Sequence, residues 1–262
     1  MWKLTIYCCY HVKSQKIDDD PLTRRFYGPW WLLNAYLSEF SMFYDIWKND
    51  KDSDYIWTCH YRRRIYSSDF NKDLVKNDSC QVYEIVYGNW YSWAFWIQKW
   101  SSNKRRKCPR IREDYKEYLT QIETGEKYLK MDKIIGTEKY FMIPRSSVIL
   151  TRNHFMRMCD FIFGFLEFLD KKYKLNYDWR LYDEWIMTNY LWKTKGWLPY
   201  WLKYNINNVK RLLAYLFERL VSIYIQTNID TYCLINPRNR IQVYPWTWWI
   251  IWCIIQKIKS YL

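Results

Sequence analysis

The run Tyr55–Cys59 (Tyr-Ile-Trp-Thr-Cys) is apolar and β-rich, and it leads directly into His60-Tyr61-Arg62-Arg63-Arg64. Guanidinium groups beside an imidazole are the chemistry of anion recognition. Arginine forks match phosphate oxygens two at a time, and a neighbouring histidine can donate or titrate. In open α/β sheets ligands bind beyond the carboxyl ends of strands, so a strand ending in this cluster suggests phosphate binding. A solvated basic surface is the other reading, although such a cluster more often follows a helix than ends a buried strand. Other chemistries lack their residues. The six glycines (28, 88, 125, 136, 164 and 196) spell neither GxGxxG nor GxxxxGK, which excludes a Rossmann fingerprint and a Walker P-loop. There is no G-x-S-x-G elbow for hydrolase chemistry, and three scattered histidines without HExxH argue against a catalytic zinc.

Several elements must position this cluster. Leu4–Cys9 alternates loosely and reads as a first strand. After the acidic turn Asp18–Leu22, Pro29 opens a helical stretch to about Asn49, with Leu33, Leu37, Phe40, Tyr44 and Trp47 as its inward stripe. Asp50–Asp54 is a second acidic turn, and Tyr55–Cys59 the next strand. Strand, helix, strand within 60 residues is a βαβ signal and favours a parallel sheet with helices. Further on the pattern predicts a Trp-rich helix over Asn89–Trp100, a charged helix over Arg110–Thr124 and a strand over Ser146–Leu150. A helix over Asn153–Tyr173 follows, with Phe155, Cys159, Ile162, Phe163, Leu166 and Leu169 inward. Helices near 179–194 and 208–225, a strand over Thr231–Ile235 and a C-terminal helix complete one α/β domain spanning 1–262.

The chain has 262 residues and a net charge of +14, with aromatic residues at 21%, which excludes disorder for most of it. The charge points to an anionic partner: nucleic acid, a phosphate-bearing small molecule or anionic lipid. Eight cysteines include no CxxC and sit largely among apolar residues, so buried free thiols in a reducing compartment are expected. The N-terminus carries no signal-type cleavage site. Residues 246–261 begin Trp-Thr-Trp-Trp-Ile-Ile-Trp and end near Lys257 and Lys259. They suit either a helix lying on a membrane surface or one docked on the protein's own core.

The segment SEFSMFYDIWKNDKDSDYIWTCHYRRR (38–64) resembles the hallmark of a glycosyltransferase family of originally unknown function. That family is common in bacterial capsule and O-antigen gene clusters and is also found in viruses. Its hallmark is a Glu-led aromatic helix ending in Trp-Lys-Asn, then Asp-Tyr, a short strand and His-Tyr-Arg-Arg. Glu39, Trp47, Lys48, Asn49, Asp54, Tyr55, His60, Tyr61, Arg62 and Arg63 match it, and His11 falls where the family's first strand ends near a histidine. RLLAYLFERL (211–220) is similar to its late Arg…Tyr…Glu-Arg-Leu motif. The resemblance covers about 1–65 and 145–225.

The resemblance implies a GT-A-like fold, with a mostly parallel sheet flanked by helices and a helical C-terminal part. It also implies transfer of a sugar from a nucleotide-sugar, UDP-linked first, to a glycan or lipid-linked glycan acceptor, in the cytoplasm or at the inner face of a membrane. His11, Glu39, His60, Tyr61, Arg62, Arg63, Arg211 and Tyr215 become the expected nucleotide-sugar-binding residues. Ordinary GT-A enzymes hold Mn²⁺ or Mg²⁺ with Asp-x-Asp after a central strand; here His60-Tyr61-Arg62-Arg63 takes that station. Guanidinium groups can neutralise the leaving diphosphate in the metal's place. Asp52-Ser53-Asp54 precedes its strand and should lie at the opposite edge, which leaves Asp18, Asp19 and Asp20 as the fallback metal site. Glu218 is the expected general base, with Asp183 and Glu184 as runners-up. On a helical wheel Val209, Leu212, Leu213, Leu216, Leu220 and Tyr224 form the buried stripe, while Arg211, Tyr215, Glu218 and Ser222 share another face. That second face is either functional or simply exposed. His11 fits either the nucleotide or a structural role, and His154 reads as structural.

Two other classes stay open. Lys99–Lys116 could form an electrostatic groove for nucleic acid, which would leave His-Tyr-Arg-Arg at a strand end without a purpose. A degenerate glycosyltransferase fold could serve as an interaction module.

Overall fold

The computed structural model describes residues 2–9, 23–26, 39–60, 67–83, 85–87, 110–132, 141–143, 147–186 and 212–234. Strand β1 (Leu4–Cys9) is buried at every position, on both faces, as a central strand of a covered parallel sheet must be. It lies between β2 (Thr23–Phe26) and β3 (Tyr55–His60), parallel to both. With β4 (Ser79–Val82), β7 (Val148–Thr151) and β8 (Thr231–Leu234) these make a six-stranded sheet in the order β2-β1-β3-β7-β4-β8. β7 is antiparallel to β3 and β4, and β8 is parallel to β4. Five strands therefore run one way and β7 alone runs against them. β5 (Val86–Tyr87) and β6 (Phe141–Met142) form a separate antiparallel pair.

The expected βαβ unit exists, with one strand more. Helix α1 (Phe40–Asn49) carries the chain from β2 to β3 on the far side of β1. Strand β2, Thr-Arg-Arg-Phe, has no apolar alternation to announce it. The inward face of α1 also differs from expectation. Phe40, Met42, Phe43 and Ile46 are buried, whereas Tyr44 and Trp47 are half-buried and pack on Phe163. Leu33 and Leu37 lie outside the described residues.

The charged helix becomes α2 (Arg110–Gln121), followed by α3 (Gly125–Asp132) after a turn closed by Gly125 N–H donating to the Ile122 carbonyl. A side chain at Gly125 would meet the Leu119 carbonyl at 1.6 Å, so only glycine fits. Helix α4 (Arg152–Tyr173) matches expectation within a residue, and all six expected inward residues are buried. The Thr151 hydroxyl caps its start by accepting from His154 N–H, and Lys174 in the left-handed region (φ 55°) ends it. Short α5 (Trp179–Ile186) packs back on α4: Tyr182 donates to Asp170, and Trp185 meets Tyr173.

Helix α6 (Leu212–Asn228) is apolar around most of its girth. Leu213, Leu220 and Tyr224 are buried as expected, Leu216 is only half-buried, and Ala214, Phe217, Val221, Ile223 and Ile225 are buried as well. Ser222 was expected on the face away from the core; it is 0% exposed. Its hydroxyl donates to the Glu218 carbonyl and accepts from Ile143 N–H at 2.9 Å. The wheel misplaces it because α6 is covered on more than one side, by α3, α4 and the chain around β6.

Helices α1, α4 and α6 cover one face of the sheet, over Tyr7, Ile56, Val82 and Leu150. On the other face Leu4, Ile6, Trp57 and Ile149 form a smaller core with Val75 and Tyr83. Cys8, Cys9, Cys59, Cys80 and Cys159 are buried free thiols and Cys233 is half-buried. Among the described residues no helix is long and apolar enough to cross a membrane. The segments 89–100 and 246–261 lie outside the described residues.

Candidate functional site

Because β7 is the one reversed strand, the carboxyl ends of β1, β2, β3, β4 and β8 gather along one edge. The register puts Cys9 beside His60 on one side and beside Phe26 on the other. Two expected binding segments, the one continuing to His11 and the one continuing to Tyr61-Arg62-Arg63, thus leave the sheet from adjacent positions. His11, Tyr61, Arg62 and Arg63, like Asp18, Asp19, Asp20 and Arg211, lie outside the described residues, as do the side chains of His60, Asp183 and Tyr215.

Glu39 reaches this edge from above. It sits at the N-terminus of α1, 8% exposed, with its carbonyl accepting from Met42 N–H. Burial, then the Glu39 charge, raises the pKa of the Cys9 thiol, which marks the carboxylate as a neighbour of the β1 end. An acidic group at a helix N-terminus is stabilised by the helix dipole.

The late motif arrives at the same edge through aromatic packing. Phe217 meets Phe40, the first residue of α1, edge-to-face at 5.5 Å, and meets Phe163 at 6.1 Å. The other end of α6 is tied to the opposite edge, where Asp230 N–H donates to Asp78 just ahead of β4. The first half of α6, the half that holds half-buried Glu218, is therefore the half that packs on the start of α1. Glu184 is exposed on α5, whose described contacts run to Asp170 and Tyr173 on α4.

The amino edge is occupied by structure rather than chemistry, and Asp52-Ser53-Asp54 is there as expected. Asp54 accepts from Lys3 N–H at 2.7 Å and its carbonyl from Arg152 N–H, while Asp52 pairs with the Lys3 ammonium at 3.5 Å. Sequence reasoning passed over Asp50 beside it. Its carboxylate accepts from the Tyr7 hydroxyl and from Ser53 Oγ and N–H, and the Arg152 guanidinium approaches it at 3.8 Å. Burial alone would raise its pKa, but these hydrogen bonds hold it below the usual carboxylate value. The Asp-x-x-Ser spacing was the available signal, since such carboxylates commonly bind the N–H groups that follow them.

His154 is structural, as read. Its Nε2–H donates to the Asn77 carbonyl, and its Nδ1 accepts from the Tyr224 hydroxyl at 3.0 Å. Both ring nitrogens are satisfied in the neutral form.

No described group of three or more His, Cys, Asp or Glu could hold a metal ion. The described residues thus supply no donor set for Mn²⁺ or Mg²⁺, and the fallback Asp18–Asp20 is not among them.

No protein-family model matches the chain, and a search of curated proteins finds no match. Among solved structures, the chain is similar to the apo structure of WbbM, a bifunctional glycosyltransferase, with a TM-score of 0.52 at 14% identity. The match takes in 89% of this chain and 46% of that one, so the chain spans about half the length of the structure it resembles. The sheet, the helices on it and this likeness together define a glycosyltransferase-like α/β fold.

Proposed function

We propose that the protein is a glycosyltransferase that moves a sugar from a nucleotide-sugar donor, UDP-linked in the first instance, to a hydroxyl of a glycan acceptor. One observation supports the reading: the ends of β1 and β3, after which His11 and His60-Tyr61-Arg62-Arg63 follow in sequence, are adjacent in the sheet, and the start of α1 packs on the first half of α6. The likeness to WbbM supports the class.

In this reading Arg62 and Arg63 neutralise the diphosphate as it departs, which lowers the barrier where negative charge develops. Glu218 takes the proton of the acceptor hydroxyl. The acceptor oxygen bonds to the anomeric carbon, and the bond from that carbon to the diphosphate oxygen breaks. Donor and acceptor held at one edge convert the encounter into a step between positioned groups.

The test is a thermal-shift panel of UDP-, GDP-, CMP- and dTDP-sugars, each with Mn²⁺ and with EDTA. A ligand that binds only the folded chain must raise the midpoint. The expected result is a shift with one nucleotide class that persists in EDTA. Arg62→Ala should weaken the shift and lower turnover; Glu218→Gln should keep the shift and lower turnover by about a hundredfold or more. A panel without any shift removes the proposal. A shift that needs Mn²⁺ moves the diphosphate to Asp18–Asp20.

A further inference from the structure

We propose that Tyr177, with Tyr44 and Glu167 beside it, forms a sugar platform at the carboxyl end of the helical layer, on which a pyranose unit of the acceptor glycan stacks. That the sugar belongs to an acceptor rests on the glycosyltransferase reading above. Topology fixes the place. β7 ends level with the start of β3, Thr151 beside Tyr55, so α4 sets out from the amino edge. Its 22 residues span about 33 Å, against about 20 Å for six-residue β1 and β3, so its end reaches the carboxyl edge. Tyr177 follows that end by four residues. Helix α1 runs the other way alongside, and its Tyr44 meets Phe163 of α4 edge-to-face at 5.1 Å. Glu167 is one turn beyond Phe163 on the same face. Phe163 also packs on Phe217, which ties this part of α4 to the half of α6 that holds Glu218.

The Tyr177 ring is presented to solvent rather than packed. It is 49% exposed and meets no other ring among the described residues, whereas exposed Trp2 packs on Phe70 at 5.3 Å and Tyr232 on Phe141 at 4.8 Å. Trp47 is not available either, because its ring lies between Phe163 and the Lys48 ammonium, 3.4 Å from its centre. The backbone of Tyr177 is left-handed (φ 51°), after Lys174 and Asn176 in the same region. A bulky residue there is strained, and such strain collects at ligand clamps. The fold holds the strained turn in place. The buried Asp170 carboxylate accepts from Tyr177 N–H at 2.7 Å and from the Tyr182 hydroxyl at 3.1 Å, and the Asp170 carbonyl accepts from Leu175 N–H. Glu167 is exposed and makes no hydrogen bond or ion pair among the described residues. Partial burial, then the charges of Glu167 and Asp170 and the nearby Tyr44, push the Tyr177 phenol up to about 12, so it stays a neutral donor at pH 7. A pyranose matches this patch: one face of C–H groups suits an aromatic ring, and its hydroxyls can donate to the carboxylate.

The experiment is saturation-transfer NMR of the full chain with the methyl α- and β-pyranosides of glucose, galactose, mannose and N-acetylglucosamine. Wild type is compared with Tyr177→Gly, Tyr177→Phe and Glu167→Ala. Glycine adopts the left-handed backbone freely and keeps the N–H bond to Asp170, so Tyr177→Gly should melt no lower than wild type. At least one pyranoside should bind wild type, with saturation concentrated on one face of its ring. Its Kd should rise about tenfold in Tyr177→Gly and in Glu167→Ala, and stay within about threefold in Tyr177→Phe, which keeps the ring. The thermal shift with nucleotide-sugar should be the same in all four chains. Wild type that binds none of the pyranosides, or binds them as well after Tyr177→Gly, overturns the inference; a persisting nucleotide-sugar shift then leaves the glycosyltransferase reading intact. Pyranoside binding that depends on Tyr177 in a chain that responds to no nucleotide-sugar overturns the acceptor assignment along with that reading.

Discussion

At the scale of single residues, the amino edge of the sheet pairs two buried titratable groups within the protein. Asp50 is filled by Tyr7 and Ser53, and His154 is filled by Asn77 and Tyr224. Burial, opposed by the Asn77 carbonyl and reinforced by the nearby Arg157 charge, pushes the His154 pKa below 6.5. The folded state then binds fewer protons than the unfolded chain around that pH, so stability rises with pH. The contribution is complete above about 6.5 and is lost as pH falls through 6.5 toward the lower folded value. Urea midpoints for wild type and His154→Gln at pH 7.5 and 5.5 check this: the wild-type advantage should shrink at the lower pH. An advantage that grows in acid would show that His154 is charged in the fold. None of this was legible beyond the structural reading of His154, because its partners lie 77 and 70 residues away.

At the scale of elements, the sequence was most legible where one apolar stripe faces one neighbour. Helix α4 is the clear example: its capping Thr151, its buried positions and its end all follow from local pattern. Helix α6 was less legible because a helix covered on several sides has no single stripe, and Ser222 was misplaced for that reason. Close approach between elements was equally hidden. Gly164 lies in mid-helix, where alanine would ordinarily add about 1 kcal/mol. Here a Cβ would come within 2.7 Å of the Tyr118 hydroxyl, which donates to the Phe161 carbonyl at 3.0 Å. Gly164→Ala should therefore destabilise by about 1–2 kcal/mol through overpacking. In a Tyr118→Phe background, with the hydroxyl gone, the same change should become neutral or stabilising. Chemical denaturation of the four variants gives the coupling directly; additive effects would place the clash elsewhere.

At the scale of the whole molecule, the meeting of the two sequence motifs depends on one aromatic junction. Phe40 of the first motif, Phe217 of the second and Phe163 of α4 pack together, and all are fully buried. Phe217→Ala should lower stability by about 3–5 kcal/mol. It should also weaken donor response more than Leu4→Ala, a core change in the smaller cluster on the other face of the sheet. Equal donor responses in two variants of matched stability would separate the junction from the site.

The sequence by itself determined the α/β class, the first and third strands with the helix between them, the run of α4 and the expectation of an anion at the end of Tyr55–Cys59. Those properties follow from local periodicity and residue type, which act over a few residues. It also placed Asp52-Ser53-Asp54 at the edge away from the site, because a segment preceding a parallel strand must lie there. Only the tertiary structure decided that β7 runs against the rest, that Trp47 is peripheral while Phe43 is core, and that Ser222 is buried. Strand direction, coverage and hydrogen-bond satisfaction are set by partners distant in sequence, and burial is a property of the assembled sheet and helices rather than of any one segment.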